Sequence, residues 1–456
     1  MSWKNPLGTR NSEAPPVSLK NEGPRSRSLL VAAMALIVGA VVVVWWPTRA
    51  LGFARDDWDW LAFFLPRRPL VDYLLWRLGG GFFRPATNLY ILAIARSGSP
   101  ASAQAVGLLL HLCTSGLLWV ILRRLTGRPW LALAGTAVFA LSVAHFQARW
   151  WICSHSDLLA AVFALVALYA ADRALTGRPP YWAVSIGCAW LAMSAKEWGV
   201  LTPLLLTGAC IFRWSQPQHR PRGAKLGPAL ALAVCLVGAV LFIAFEVQGR
   251  NPSGYALIVA EQPAVSWPRL VRGLYLVLYC ISPEQYAGMA LEGTPKPLLG
   301  LLLVIAAVAV LAVIVCVCRC REAWGFAAFA LAVVWVHSVA FAPRFSYAPL
   351  LALVLLVGTL ARKSCLHPRA SCLLASLLIA WGGYHVLLNL YAPQPVSWRV
   401  QALQVTSRDA WHANRGVGYY PATVLRLDDL GTSPGWFIGL KNMGALRGPA
   451  YPYYYY

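Results

Sequence analysis

The sequence predicts an all-α, polytopic membrane protein with about eleven transmembrane helices. Hydrophobic residues make up 59% of its 456 positions and charged residues only 12%, with a mean hydropathy of +0.58. Such a composition excludes an ordinary soluble protein. The apolar residues are also gathered into runs close to the roughly 20 residues that a helix needs to cross a bilayer. The lipid bilayer is therefore the first predicted partner of this chain.

The predicted spans follow one another along a single domain, residues 28–391. They cover 29–46, 103–122, 129–147, 157–172, 181–195, 197–212, 226–246, 298–318, 324–342, 346–361 and 370–391. Residues 1–27 are polar and basic, and we expect a disordered cytoplasmic tail. The first apolar run is too long for a cleaved signal peptide, which predicts an uncleaved anchor.

The short turns between spans predict the orientation of the chain. Turns expected in the cytoplasm hold fourteen Lys and Arg, whereas the three tight turns opposite hold only Arg149, Lys196 and Arg344. Counting every Lys and Arg gives 19 against 20, but long loops translocate regardless of charge. The short turns therefore predict a multi-pass protein of a bacterial inner or plasma membrane. Residues 49–102, 248–297 and a small C-terminal segment, 392–456, are then extracytoplasmic.

The net charge of +22 has to be interpreted within this arrangement. Because the cations lie mainly between apolar runs and in the tails, anionic lipid headgroups are the expected partner and nucleic acid is not. In the loop 49–102, aromatic and basic residues alternate, which is typical of a helix lying along the membrane interface. The sequence has no Walker pattern or nucleotide-binding glycine loop, which argues against an ATP-driven pump.

An acidic stretch follows the first span: Arg55-Asp56-Asp57-Trp58-Asp59-Trp60. The whole chain has 17 Asp and Glu, and three of them fall within four positions here. Carboxylates at a membrane face cost several kcal/mol unless they are paired or used. Two adjacent carboxylates can divide their roles, one acting as an ionised base and the other pairing a cation. The alternative is an interfacial loop whose Trp residues simply mark the end of a helix.

Three further polar turns fall on the same predicted face. They carry Gln147, His155 and Asp157; Lys196 and Glu197; and Arg344 and Tyr347. Each has a structural alternative: a helix cap at His155 and Asp157, a solvated Lys196–Glu197 pair, or a snorkelling Arg344. Their coincidence on one face favours a site. Separated cations can hold a leaving phosphate while a carboxylate takes the acceptor's proton.

Together these motifs resemble the GT-C superfamily, polytopic glycosyltransferases that use polyprenyl-phosphate sugars. The resemblance covers roughly residues 28–391 and is greatest to the protein O-mannosyltransferase-like and related bacterial branches. It is carried by the double acid after the first span, Phe83-Arg84-Pro85 before the second, the His155-x-Asp157-Leu-Leu turn, the Ser-x-Lys196-Glu197 turn and the Arg344-Phe-Ser-Tyr347 turn. The chain departs from the family pattern at Gln147, where relatives often carry Glu, and at His155, where many carry Arg.

The resemblance implies a function and a set of site residues. Asp56 is the expected base, with Asp57 beside it, and a divalent metal ion, if one is bound, would sit on these two. The resemblance places Lys196, Arg344 and Arg84 near the donor phosphate. His155, Asp157, Glu197, Tyr347 and Gln147 have supporting roles.

The implied reaction is transfer of a sugar from a polyprenyl phosphate to a protein, lipid or glycan on the extracytoplasmic face. A flippase for lipid-linked oligosaccharides, or another secondary transporter, is the alternative outside the enzymes. A ligase that transfers whole glycans from a lipid pyrophosphate would use cations in the same way.

Overall fold

The computed structural model describes residues 24–50, 57–64, 66–78, 82–142, 144, 148, 151–216, 226–248, 270, 273–274, 276–277, 280, 320–338 and 346–363. Within them the chain is mainly helical. The helices are α1 (Pro24–Trp45), α2 (Asp57–Phe64), α3 (Leu70–Leu75), α4 (Pro85–Ser97), α5 (Pro100–Thr126), α6 (Pro129–Leu141), α7 (His155–Leu175), α8 (Tyr181–Ala195), α9 (Thr202–Trp214), α10 (Leu226–Gln248), α11 (Trp324–His337) and α12 (Tyr347–Lys363). Single 3-10 turns cover Trp46–Ala50, Ile152–Ser154, Glu197–Leu201 and Arg321–Ala323.

The predicted helical fold class is confirmed for the described residues. Four helical stretches there are long and apolar enough to cross a membrane: 26–45, 100–126, 152–175 and 226–245. Three shorter apolar helices cover 129–141, 181–195 and 347–361. The count of eleven spans stays a prediction. Spans 298–318 and 370–391, the tail before residue 24 and the segment 392–456 lie outside the described residues, as does most of the loop 248–297.

Some predicted span ends are wrong, for reasons visible in the backbone. α5 runs on to Thr126 and ends where Gly127 adopts a left-handed conformation (φ 68°) and its N–H bonds to the Arg123 carbonyl. That conformation is one that glycine adopts at little cost. The span predicted to begin at residue 197 begins as α9 only at Thr202, because Glu197–Leu201 form a tighter 3-10 turn.

Successive long helices run in opposite directions, and this sorts the turns onto two ends of the bundle. α7 begins at His155 and finishes near Arg213, which lies at the end of α9. We call these the His155 end and the Arg213 end. Asp157 and Asp172, in the first and last turns of α7, are fifteen residues and so about 22 Å apart along the helix axis. The turns that carry His155 and Lys196, predicted to share one face, therefore lie at one end; residues 339–345, which include Arg344, lie outside the described residues.

The core lies between α5, α7, α9, α11 and α12. Leu118, Leu165, Phe212, Phe326 and Leu355, one from each helix, are fully buried in one cluster. α9 and α11 touch backbone to backbone, since a Cβ built on Gly325 would lie 2.2 Å from the Gly208 Cα. Close approach at small residues is how helices associate where no water is available to drive hydrophobic burial.

The first predicted loop, 49–102, is more ordered than expected. It contains α2, α3 and α4, and a two-stranded antiparallel ribbon that pairs Arg77 with Phe83 joins α3 to α4. Its aromatic rings pack on one another, with the Phe63 and Trp76 ring centroids 4.2 Å apart. The Asn88 amide ties α4 to α3 by donating to the Tyr73 and Trp76 carbonyls, each at 2.9 Å. Instead of one interfacial helix, the loop is a folded layer over the His155 end.

Candidate functional site

The His155 end collects six of the predicted site residues: Asp57, Arg84, His155, Asp157, Lys196 and Glu197. Each of the first five exposes at most 7% of its surface. They come from the start of α2, the residue before α4, the first turn of α7 and the turn after α8. Buried charges are costly unless they are paired, so their pairing decides what this end of the molecule can do.

Two ion pairs meet at the turn after α8, and each contains one residue of that turn. The Arg84 Nε atom lies 2.5 Å from Glu197 Oε1, and the Lys196 Nζ atom lies 3.5 Å from Asp157 Oδ2. Lys196 is extended (φ −156°, ψ 148°), so its side chain and that of Glu197 leave the backbone on opposite sides. The alternative of a solvated Lys196–Glu197 pair is therefore wrong: the two residues hold different partners on different elements.

Asp157 and His155 do not serve merely as helix caps. Ser154 occupies the N-cap position of α7 and makes no side-chain capping bond. Asp157 Oδ1 instead accepts a bond from the Trp198 indole at 3.1 Å. Asp157 also lies in the first turn of α7, where the helix dipole favours a negative charge. The carboxylate therefore joins α7 to the turn that carries Lys196.

His155 pairs with a residue that sequence reasoning missed. The Tyr90 hydroxyl lies 2.5 Å from His155 Nδ1, and the His155 ring packs directly on Gly107 of α5. Burial, with the nearby charge of Asp57, raises the pKa of Tyr90 well above its ordinary value, so the phenol stays neutral. A signal was present in the sequence: Thr87 and Tyr90 are three residues apart, on one face of the helix that follows Arg84.

Asp57 is held in place by the backbone. It is the first residue of α2, is 2% exposed, and its Oδ1 atom accepts the Cys153 N–H at 2.8 Å. This bond joins the first predicted loop to the segment just before α7. Asp56, the expected base, precedes α2 and lies outside the described residues, as do Gln147 and Arg344.

The described side chains give limited support to a metal site. Among them, no group of three or more His, Cys, Asp and Glu is arranged to hold a metal ion. Asp57 alone offers at most two oxygens, whereas Mg²⁺ takes six ligands, several of them usually water or phosphate oxygen. A divalent ion on Asp56 and Asp57 therefore stays a prediction.

Glu197 is kept ionised by its two cationic neighbours. Burial acts to raise the pKa of its carboxyl, but Arg84 and Lys196 more than offset this and bring the pKa to about 2. Because 25% of the side chain is exposed, solvent screens part of the attraction without changing its direction. A carboxylate with so low a pKa is a poor proton acceptor near neutral pH. Glu197 therefore orients Arg84 rather than acting as a base.

A buried histidine lies close to these charges. His337, at the end of α11, interacts electrostatically with Asp157 and Lys196, and its Nδ1 atom bonds to the Val333 carbonyl at 2.7 Å. His337 was missed in the sequence, although an ionisable residue inside an apolar run is a functional signal by default.

His111 is the partner of Tyr347, which was expected to support the site. The Tyr347 hydroxyl lies 3.0 Å from His111 Nδ1, and His111 Nε2 lies 3.0 Å from the Ala140 carbonyl. A neutral imidazole has one N–H, and the carbonyl requires it on Nε2, so Tyr347 donates to Nδ1. Tyr347 is thus bonded within the helix core, and it also interacts electrostatically with Asp157 of the ion pairs described above.

Comparison of the chain with protein-family models, with curated proteins and with solved structures finds no match. The interpretation of the His155 end therefore depends on its own geometry and on the motif resemblance described above.

Proposed function

We propose that this chain is a membrane glycosyltransferase of the GT-C type with about eleven spans. It transfers a sugar from a polyprenyl-phosphate donor to an acceptor on the extracytoplasmic face. The observation that carries the proposal is the convergence of two cations, three carboxylates and a His–Tyr pair at one end of the helix bundle. Ionisable groups are gathered and buried in this way mainly at functional sites.

The position of the cluster favours an enzyme over a transporter. Secondary transporters place substrate sites near the middle of the bilayer, in helices that are broken there. Asp157 lies in the first turn of α7, and Lys196 is the residue that ends α8. The ion pairs therefore lie where helices begin and end, which supports a ligand at the membrane surface, such as a lipid phosphate.

The proposed reaction is a displacement at the anomeric carbon. The acceptor hydroxyl oxygen bonds to that carbon while its bond to the donor phosphate oxygen breaks, and the phosphate leaves with the electron pair. Asp56 takes the hydroxyl proton, and Asp57 supports it from the start of α2. This division suits the backbone bond that already fixes one Asp57 oxygen.

The cations stabilise the charge that develops on the leaving phosphate. Lys196 lies 3.4 Å from Ser156 Oγ and 3.5 Å from Asp157. Both contacts are longer than the 2.7–2.9 Å of a strong charge-assisted bond, so a phosphate oxygen can compete for the ammonium. Arg84 is held at its Nε by Glu197, and its guanidinium lies over the Phe82 ring, so its charge is fixed in the same cluster.

The test uses purified protein in liposomes that contain a polyprenyl-phosphate sugar labelled in the sugar. Lys196→Ala and Arg84→Ala should each reduce release of the sugar by about 10- to 100-fold, the loss expected for one charge-assisted bond. Arg178→Ala is the matched control, because Arg178 is an exposed cation at the Arg213 end. Asp56→Asn should reduce the rate by about 10²–10⁴ with donor binding retained.

Two outcomes would contradict the proposal. If Lys196→Ala and Arg84→Ala both turn over the donor at the wild-type rate, the phosphate site lies elsewhere. If the labelled lipid crosses the bilayer with its sugar still attached, the chain is a transporter and the enzyme proposal fails.

A further inference from the structure

The Arg213 end holds a second buried ion cluster, which the proposed sugar transfer does not use. Asp172 of α7 accepts from Arg213 Nε at 2.5 Å and from Arg124 Nε on its other oxygen. Arg213 also bonds to Gln216 through Nη1 at 3.4 Å. Two guanidinium groups share one carboxylate, so the cluster carries one excess positive charge.

The two arginines differ in exposure. Arg213 exposes 9% of its side chain, whereas Arg124 exposes 27%. Arg124 bonds to Asp172 through Nε, and its terminal nitrogens carry the other four N–H donors of the guanidinium. Asp172 thus fixes the Arg124 guanidinium on the more exposed side of the cluster, in an orientation that suits a second anion.

A small apolar cavity lies beside these charges. It is lined by Ile121, Leu125, Leu168, Ala209 and Phe212, with Arg124, Tyr169 and Asp172 at its edge. The cavity has room for about one water molecule. A ligand of this cluster must therefore bind on its more exposed side, where Arg124 lies.

The surroundings are strongly basic. The described cations at this end also include Arg123, Arg173 and Arg321, and one further carboxylate there is Glu322. The Arg173 Nε atom is buried and has no hydrogen-bond partner among the described residues. Basic pockets between transmembrane helices on the cytoplasmic side commonly bind anionic lipid headgroups.

We propose that the Arg213 end binds the phosphodiester headgroup of an anionic bilayer lipid. The terminal nitrogens of Arg124 would donate to the phosphate on the more exposed side of the cluster. The lipid would tie α5 to α7 and α9, the three helices that the cluster already joins. This inference depends on a bilayer around the chain and not on sugar transfer.

The test is the melting temperature of the full chain in detergent as phosphatidylglycerol is added. Parallel titrations use phosphatidylcholine and inorganic phosphate. Phosphatidylglycerol should raise the melting temperature of the wild-type protein, and Arg124→Gln should raise the concentration needed by at least about tenfold, as expected for the loss of a charge-assisted bond. Arg178→Gln makes the same charge change on the same end at an exposed residue, and the midpoint should stay within about twofold.

Each alternative result overturns the inference. Equal stabilisation by phosphatidylcholine would show that only the acyl chains matter, and equal stabilisation by inorganic phosphate would show a free-anion site. An unchanged midpoint in Arg124→Gln would remove Arg124 from the site. If Arg124→Gln does not fold, Arg124→Lys keeps a cation opposite Asp172. Arg124→Lys should still weaken phosphatidylglycerol binding, because an ammonium cannot form the bidentate hydrogen bonds of a guanidinium.

Discussion

Replacing Gly107 by alanine tests the packing of His155 at the candidate site. A Cβ at this position would lie 2.5 Å from His155 Cε1 and 2.6 Å from Nε2. To reach the 3.4 Å at which ordinary contact begins, the ring must move by about 0.9 Å. A shift of that size away from Tyr90 lengthens its 2.5 Å bond to His155 Nδ1 to about 3.4 Å, which is beyond the usual range and removes most of its strength.

The expected cost can be divided into three parts. Overpacking a filled site costs about 1–3 kcal/mol, and the lost hydrogen bond adds about 0.5–1.5 kcal/mol. Alanine has a higher helix propensity than glycine, which stabilises either variant by about 1 kcal/mol. Gly116 lies on the same helix, and a Cβ added there would meet nothing within 4 Å, so Gly116→Ala keeps the propensity gain without the clash. Because that gain is common to both variants, we expect Gly107→Ala to be about 1.5–4.5 kcal/mol less stable than Gly116→Ala.

The assay is thermal unfolding of both purified variants in one detergent, followed by tryptophan fluorescence. Gly107→Ala should melt at least about 2 °C below Gly116→Ala, given the usual few degrees per kcal/mol. Donor turnover should fall in Gly107→Ala alone, since only that variant moves His155. If Gly107→Ala melts at or above the temperature of Gly116→Ala, the ring does not pack on α5 and the geometry of the His155–Tyr90 pair is wrong.

Three further predictions concern the packing and charges of the same bundle. Glu197→Gln leaves the buried Arg84 guanidinium without its ion partner and should lower the unfolding free energy by about 1–3 kcal/mol; Arg178→Gln should leave the melting temperature unchanged in the same scan. Because the pKa of Glu197 is lowered from 4.5 to about 2, its contribution is complete above pH 4.5 and is lost as the pH falls towards 2. The difference in melting temperature between wild type and Glu197→Gln should therefore be constant from about pH 5 to pH 8 and shrink below about pH 4; a difference that changes between about pH 6 and pH 8 would contradict the assignment. Gly325→Ala places a Cβ 2.2 Å from the Gly208 Cα and must push α9 away from α11. Its melting temperature should fall well below that of the control Gly187→Ala, because a Cβ at Gly187 meets nothing within 4 Å. Equal melting temperatures would refute the backbone contact.

The sequence predicted the elements better than their partners. Hydropathy is a local signal, so helices such as α5 and α7 could be placed to within a few residues. The polar turns at His155 and Lys196 could be assigned to one face because strict alternation of spans fixes the side of each turn. Which cation pairs with which carboxylate depends on how separate helices pack, and no local pattern contains that information.

The Lys196–Glu197 dipeptide illustrates this limit. Adjacent opposite charges indicate a local pair, yet one extended residue turns the two side chains apart, towards Asp157 and Arg84. Tyr90 was missed for a related reason. An aromatic residue in an apolar helix usually packs in the core, and only the position of His155 across the bundle gives its hydroxyl a role.

The pairing found in the structure also bears on the predicted orientation. Lys196 and Arg84 count as two positive charges on the predicted extracytoplasmic face, but Asp157 and Glu197 neutralise them within the fold. At the Arg213 end, Arg124 and Arg213 share the single carboxylate of Asp172, and Arg178 is exposed to the surroundings. The charge difference between the two ends is therefore larger than a count of Lys and Arg alone suggests. Orientation depends on Lys and Arg near span ends, to which Asp and Glu contribute little, whereas attraction to an anionic inner leaflet depends on the net charge that remains. The Lys and Arg count of the short turns and the excess positive charge of the Arg213 end therefore predict the same orientation, with the Arg213 end in the cytoplasm.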